Sequence, residues 1–171
     1  MGGGILPIAF YKGKIYFLFG REYIKAKKKE KDGTSSVILH KAAGLWSDFG
    51  GSKDNNETYK ETAIREGYEE LSGILGSKNK IKYLVNNYLY KITSNGYRSY
   101  IVIIDYDKTL PKKFRDKFLS IKKNKPHLVC KNGLYEKDMI KWFSYDDIKN
   151  NSSIFRIWYY KEIIKEVFNL F

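Results

Sequence analysis

The sequence predicts an α/β protein, and three observations carry that prediction. Two pairs of apolar, β-branched and aromatic runs are each joined by a glycine-bearing turn, a helical stretch near the middle crowds carboxylates onto one flank, and the C-terminal segment is apolar at helical spacing. At 171 residues the chain is long enough to form one domain, 1–171, with a real core and no disulfide. It contains no internal repeat and no stretch that reads as a linker.

In chain order, Ile5 to Phe10 and Ile15 to Phe19 are apolar runs joined by Tyr11-Lys12-Gly13-Lys14, the pattern of a β-hairpin. The following REYIKAKKKEKDGTSS is polar without periodicity and dominated by Lys25, Lys27, Lys28, Lys29 and Lys31, so a mobile basic loop is expected there. Val37 to Leu39 and Leu45 to Phe49 are short strand candidates, the second leading into Gly50-Gly51.

From Glu57 to Leu71 the apolar positions Tyr59, Ala63, Ile64, Gly67 and Leu71 recur every three or four residues without proline, which predicts a helix buried along that stripe. Ile81 to Lys91 and Tyr97 to Tyr106 read as a second pair of strands joined through Ser94-Asn95-Gly96, a strong hairpin-turn signal. Their tyrosines, Tyr88 with Tyr90 and Tyr97 with Tyr100, are expected to share faces by pairs.

Leu110 to His127 places Phe114, Phe118 and Ile121 at helical spacing among seven Lys and Arg residues, a basic amphipathic helix. A polar loop with Glu136 and Asp138 precedes a strand from Met139 to Phe143, after which Ser144 caps a helical turn. Ser152 or Ser153 is expected to cap a last helix running through Leu170, with Ile154, Trp158, Ile163, Ile164, Val167 and Phe168 available for burial.

Composition narrows the function classes. The single cysteine, Cys130, forms no internal bridge, reads as a small buried hydrophobe and suggests a reducing compartment. The start MGGGILPIAFYKGK has neither the basic region nor the apolar length of a signal peptide, and no later run spans a bilayer, so an intracellular, cytoplasmic protein is expected. A formal charge of +13, from 32 Lys+Arg against 19 Asp+Glu, attracts polyanions. His40 has no second His or Cys at metal-ligand spacing and reads as structural.

The chemistry concentrates on the helix from Glu57. Glu66, Glu69 and Glu70 are spaced i, i+3, i+4 and fall together on the flank opposite its apolar stripe, where three like charges repel. A compensating divalent cation resolves that repulsion, and all-oxygen ligands favour Mg²⁺ or Mn²⁺. The turn GGSKDNN can bring a backbone carbonyl and Glu57 to the same place.

The spacing Gly51, five residues, Glu57, seven residues, Arg65-Glu66, two residues, Glu69-Glu70 resembles the Nudix box, departing from it at Gly67, Ser72 and Gly73. The stretches GILPIAFYKGKIYFLFGRE, WSDFGG and KWFSYDDI look like Nudix proteins of large DNA viruses, of the mRNA-decapping type.

The resemblance implies a Nudix-type α/β/α sandwich with a mixed β-sheet over nearly the whole chain, and hydrolysis of a nucleoside diphosphate linked to another group. Carried over by position, Glu66, Glu69 and Glu70 would ligate Mg²⁺ or Mn²⁺, Glu57 would bind or support an ion, and Gly51 could add a backbone carbonyl. Arg65 would orient the carboxylates, and the general base would be Glu66 from the box or Glu136 from outside it.

Two Lys-rich tracts favour capped RNA, hence decapping in a host cytoplasm. A diphosphoinositol polyphosphate or a dinucleoside polyphosphate would use the same charges. An RNA-binding scaffold without hydrolysis is the non-enzymatic alternative. Neither a membrane nor a protein partner is implied.

Overall fold

The computed structural model describes residues 1–29, 35–131 and 133–171, with the backbone alone for 25–29 and 35–38. Its organising strand is β1 (Gly2–Tyr11), which pairs antiparallel with β2 (Lys14–Glu22) and with β6 (Phe49–Ser52), and parallel with β8 (Tyr97–Ile103). The sheet order is β5 (Trp46–Ser47), β2, β1, β8, β7 (Tyr90–Ser94), with β9 (Lys137–Ser144) also on β2 and β6 also on β1. One parallel pair among antiparallel ones makes the sheet mixed.

Both predicted hairpins form, each with a two-residue turn. Tyr11 pairs with Lys14 across Lys12 and Gly13 at φ 49° and 71°, and Ser94 pairs with Tyr97 across Asn95 and Gly96 at φ 47° and 75°. Two consecutive left-handed residues match the twist of the flanking strands, which is why glycine ends each turn.

Strand alternation divides the core into two layers. Ile5, Ala9, Leu18, Tyr100, Val102 and Trp142 face one side. There they meet Ala63 and Ile64 of α1 (Tyr59–Glu70), Ile81 and Val85 of α2 (Lys78–Asn86), and Phe114 of α3 (Leu110–Asn124). Leu6, Ile8, Phe17, Phe19, Ile101 and Phe143 face the other side. They pack on Ile148 of α4 (Tyr145–Asn150) and on Tyr159, Ile163, Ile164 and Val167 of the C-terminal helix, which runs through α5 (Ile157–Tyr159), a π-helical Tyr160–Ile164 and α6 (Lys165–Leu170). This is the expected α/β/α sandwich. No described helix is long and apolar enough to cross a membrane.

Four local expectations are corrected. Lys25–Lys29 is a strand, β3, rather than a loop, because its backbone pairs with β4 (Ser35–Leu39), whose Val37 and Ile38 are strong strand formers. Lys31 of that basic tract lies outside the described residues. Lys78–Asn86 is helical, capped by Ser77: Ile81, Leu84 and Val85 stand at i, i+3, i+4, and the strand starts only at Tyr90.

Tyr97 and Tyr100, three apart on a strand, point to opposite faces, Tyr100 against Tyr88 and Tyr97 against Trp158. No serine caps the last helix, since Ser152–Ile154 is a 3-10 turn; buried Phe155 bridges to Trp46, and the Arg156 amide donates to the Trp46 carbonyl at 3.0 Å before the helix begins.

The central helix starts after Glu57. Thr58 is its N-cap, with a capping box: the Glu61 amide donates to Thr58 Oγ1 at 3.2 Å and the Thr58 amide to Glu61 Oε2 at 2.7 Å. Gly67 sits mid-helix because β1 lies close beneath it; a Cβ there would come within 2.8 Å of Ile5 Cδ1.

The helix ends in a Schellman motif, with the Gly73 amide on the Tyr68 carbonyl at 3.1 Å and the Ser72 amide on that of Glu69 at 2.9 Å. The left-handed position is filled by Ser72, at φ 53°. Ser72→Gly is therefore expected to stabilise the protein by ~0.5–1 kcal/mol, relief of the left-handed strain outweighing the added freedom of the unfolded chain. Urea denaturation of the two proteins measures this.

Candidate metal centre

The C-terminal half of α1 runs along β6, where Gly50 and Gly51 let it approach closely. A Cβ on Gly51 would land on the Glu66 carboxylate, and the Gly50 amide donates to Glu70 Oε2 at 2.7 Å. Glu66 and Glu70 are thus buried against strand backbone instead of lying on a solvated flank.

Arg65 binds the group together. Its Nε and Nη2 form a fork on Glu57 at 2.8 and 2.9 Å, Nη1 donates to Glu66 at 2.8 Å and to Glu69 at 3.4 Å, and Nη2 reaches the Ser52 carbonyl at 3.1 Å. A planar guanidinium with five donors suits this; a lysine could not make the fork.

Beneath the helix lies a second cation. Lys137, on β9 and fully buried, faces Glu22 at the end of β2, where the strand pairing shifts register. Its ammonium is 2.8 Å from Glu22 Oε2, 3.4 Å from Glu70 Oε1 and 3.1 Å from Ser47 Oγ. Glu22 and Glu70 reach from this lysine into a cavity of about 600 Å³ lined also by His40, Gly51, Asp54, Arg65, Glu66, Glu69, Glu136 and Arg156. Carboxylate oxygens of Glu22, Glu70 and Glu136 lie within 4.8 Å of one another.

Burial sets the proton affinities. It raises Glu66 to about 7 against the pull of Arg65, raises Glu69 against the same arginine, and raises Glu70 well above the carboxylate range despite Lys137. Glu136 is raised by burial and then by the charge of Glu22. Burial also pushes Glu22 up, but the charge and hydrogen bond of Lys137 outweigh it and hold Glu22 ionised below its ordinary value. Glu57 is lowered to about 2, chiefly by its Arg65 hydrogen bonds.

Of the positions expected from the sequence, the fold brings Gly51, Arg65, Glu66, Glu69, Glu70 and Glu136 around one cavity. Glu57 does not line it; it clasps the far side of Arg65. Sequence reasoning missed Glu22 and Lys137, which are 115 residues apart and meet only through strand pairing. It also missed Asp48, fully buried beside the site, which accepts from Tyr97 and Ser99 at 2.9 and 2.7 Å and is raised to about 6 by burial. Nothing in their local sequence marks these three. His40, expected to be structural, accepts the Ala42 amide at Nδ1 and also lines the cavity, 3.7 Å from Glu22 Oε1.

A divalent ion fits these residues. Six carboxylates, Glu22, Asp54, Glu66, Glu69, Glu70 and Glu136, line the cavity against Arg65 and Arg156, with Lys137 buried beneath, and burial raises four of the six, so added positive charge is favourable there. An all-carboxylate and carbonyl donor set selects a hard ion such as Mg²⁺ or Mn²⁺.

No protein-family model and no curated protein matches the sequence. Solved structures do. The Nudix domain of Shewanella oneidensis NrtR, complexed with ADP-ribose, superposes with a TM-score of 0.53 at 12% identity, over 99% of this chain and 87% of that one. A bifunctional NMN adenylyltransferase/ADP-ribose pyrophosphatase from Francisella tularensis, complexed with AMP and a manganese ion, superposes with a TM-score of 0.52 at 17% identity, over 98% of this chain and 41% of that one. From its first strand to its last helix, this chain has the fold of a Nudix domain.

Proposed function

We propose that this protein is a divalent-metal-dependent Nudix pyrophosphohydrolase that cleaves a nucleoside diphosphate linked to another group, and that its substrate is the 5′ cap of mRNA. The observation that carries the hydrolase reading is the surplus of buried carboxylates around an open cavity, held in place by Arg65 and Lys137. A protein that only bound RNA would gain nothing from anionic charge beside phosphates.

Glu66, Glu69, Glu70 and Glu136, with the Gly51 carbonyl, would hold Mg²⁺ or Mn²⁺, and Glu57 would support them through Arg65. Bound there, the ion neutralises pyrophosphate charge and acidifies water. Glu66 and Glu136 both line the cavity with proton affinity raised by burial, Glu66 to about 7, and either is placed to take a proton. The ADP-ribose on the Shewanella relative is itself a nucleoside diphosphate linked to another group. A formal charge of +13 favours a substrate with a trailing chain of phosphates.

The test is cleavage of cap-labelled RNA with Mg²⁺ or Mn²⁺, beside free cap analogue, a diadenosine polyphosphate, a diphosphoinositol polyphosphate and ADP-ribose. Capped nucleoside diphosphate is expected from RNA, and Glu69→Gln with Glu70→Gln is expected to reduce the rate by at least ~100-fold, more than loss of an outer-shell partner costs. Cleavage of the small compounds alone would move the substrate to a compact polyphosphate. Cleavage of nothing, with RNA still bound, would sink the hydrolase reading.

A further inference from the structure

On the other side of the Glu57–Arg65 pair lies a second cavity, of about 620 Å³, over the edge of the sheet at the start of α1. Four cations line it, Lys53, Lys60, Lys91 and Arg98, together with Tyr59, Tyr88 and Tyr100. Its one carboxylate, Glu57, is already taken by the Arg65 fork.

None of the four cations is within ion-pair distance of a carboxylate among the described residues. Three of them rest instead on aromatic faces. The Arg98 guanidinium is 4.1 Å from the Tyr59 ring centre, Lys53 Nζ is 5.9 Å from the same ring, and Lys60 Nζ is 5.4 Å from that of Tyr88. Arg98 Nε is buried with no hydrogen-bond partner. A buried donor without an acceptor and a set of cations without counter-charge both ask for an anion.

The tyrosines decide which anion. A compact polyphosphate would engage the cations and leave the rings unused. A single strand of nucleic acid uses both, since its phosphates take the lysines and arginine while a base displaces a lysine from an aromatic face.

We propose that this groove binds single-stranded RNA, with Lys53, Lys60, Lys91 and Arg98 on the phosphates and Tyr88 as a stacking face. This deepens the decapping reading and rests on it only for the identity of the strand. Lys60 and Glu69 are nine residues apart on one helix, so groove and carboxylate cavity are separated by roughly 14 Å along its axis. A chain entering one can reach the other past Glu57 and Arg65.

The experiment is fluorescence anisotropy with a short, uncapped, single-stranded RNA in EDTA, where no cleavage occurs. Lys60→Glu with Lys91→Glu is expected to weaken binding at least tenfold and to flatten the slope of log affinity against log salt by about 1.4, at ~0.7 per phosphate contact. Lys149→Glu with Lys165→Glu makes the same charge change on exposed residues of α4 and α6, across the sheet, and is expected to leave affinity within about twofold. Tyr88→Leu is expected to cost RNA about tenfold and inorganic tripolyphosphate nothing.

Equal losses from the two charge-reversal pairs, or equal losses of RNA and tripolyphosphate on Tyr88→Leu, would overturn the proposal. The assay needs no turnover, so it fails or succeeds independently of the cleavage test.

Discussion

Replacing Lys137 by Met is expected to lower the stability of the metal-free protein by about 3–5 kcal/mol at pH 7, the cost of stranding buried charge. The ammonium is the shared partner of Glu22 at 2.8 Å and Glu70 at 3.4 Å, and all three side chains are almost wholly buried. Without it, Glu22 loses the charge that keeps it ionised and is left in a low dielectric beside Glu70, whose proton affinity burial already raises, and Glu136. For a chain of this size the loss is a fall in melting temperature of ~6–20 °C.

Two conditions distinguish this cause from a packing defect. At pH 4 the carboxylates protonate and most of the loss disappears. With Mn²⁺ in excess, an ion held by Glu22, Glu70 and Glu136 would replace the missing charge, and part of the loss is expected to be restored. Thermal melts of both proteins in EDTA and in Mn²⁺, at pH 4 and pH 7, read the effect; an equal deficit in all four conditions would mean that the lysine acts by packing alone.

The second large effect is an inverted dependence of stability on pH in the absence of metal. Burial raises Glu66 to about 7 and Asp48 to about 6, so the folded protein holds these protons more tightly than the unfolded chain. Stability is then full below pH 4 and falls as pH rises through the folded values. At ~1.4 kcal/mol per pKa unit the two groups remove on the order of 3–6 kcal/mol between about pH 4 and 7.5.

Glu57, lowered to about 2 by Arg65, works in the opposite sense in a lower window, its contribution being lost as pH falls below 4.5. In EDTA the stability curve should therefore peak near pH 4.5–5. A divalent ion binds only the deprotonated carboxylates, so its stabilising effect grows with pH and flattens the descending limb. Urea titrations from pH 4 to 8, with EDTA and with Mg²⁺, check this. A metal-free protein that gains stability between pH 5 and 7 would contradict the burial of Glu66 and Asp48.

What could be read from the sequence was whatever is encoded locally. The hairpins were legible because Lys12-Gly13 and Asn95-Gly96 supply two left-handed residues each. The carboxylates of α1 were legible because i, i+3, i+4 spacing survives any tertiary context. Their surroundings were not: the spacing placed Glu66 and Glu70 on a flank away from the apolar stripe, yet the missing side chains of Gly50 and Gly51 draw that flank onto the sheet. Glu22 and Lys137 are ordinary charged residues until the β2–β9 register sets them opposite each other. The segment of α2 reads as strand because a short apolar run with tyrosines fits both periods; the local signal for helix is Ser77 as its cap.

The glycines that draw α1 inward also form the boundary of the site on the sheet side. Gly3 pairs with Gly51 and Gly4 with Gly50, so two adjoining strands present bare main chain to each other, and Gly50 and Gly51 present theirs to Glu70 and Glu66. Side chains there are excluded on both strands: a Cβ on Gly4 or Gly50 would strike the Tyr97 hydroxyl, and one on Gly3 would come within 2.5 Å of the Tyr59 carbonyl. A surface built from peptide groups has no rotamers to rearrange. It cannot mould itself to different guests, so this part of the molecule behaves as a fixed gauge. Any freedom to reshape this cavity lies with the rest of its lining, such as Glu136, His40 and Arg156, where side chains can turn.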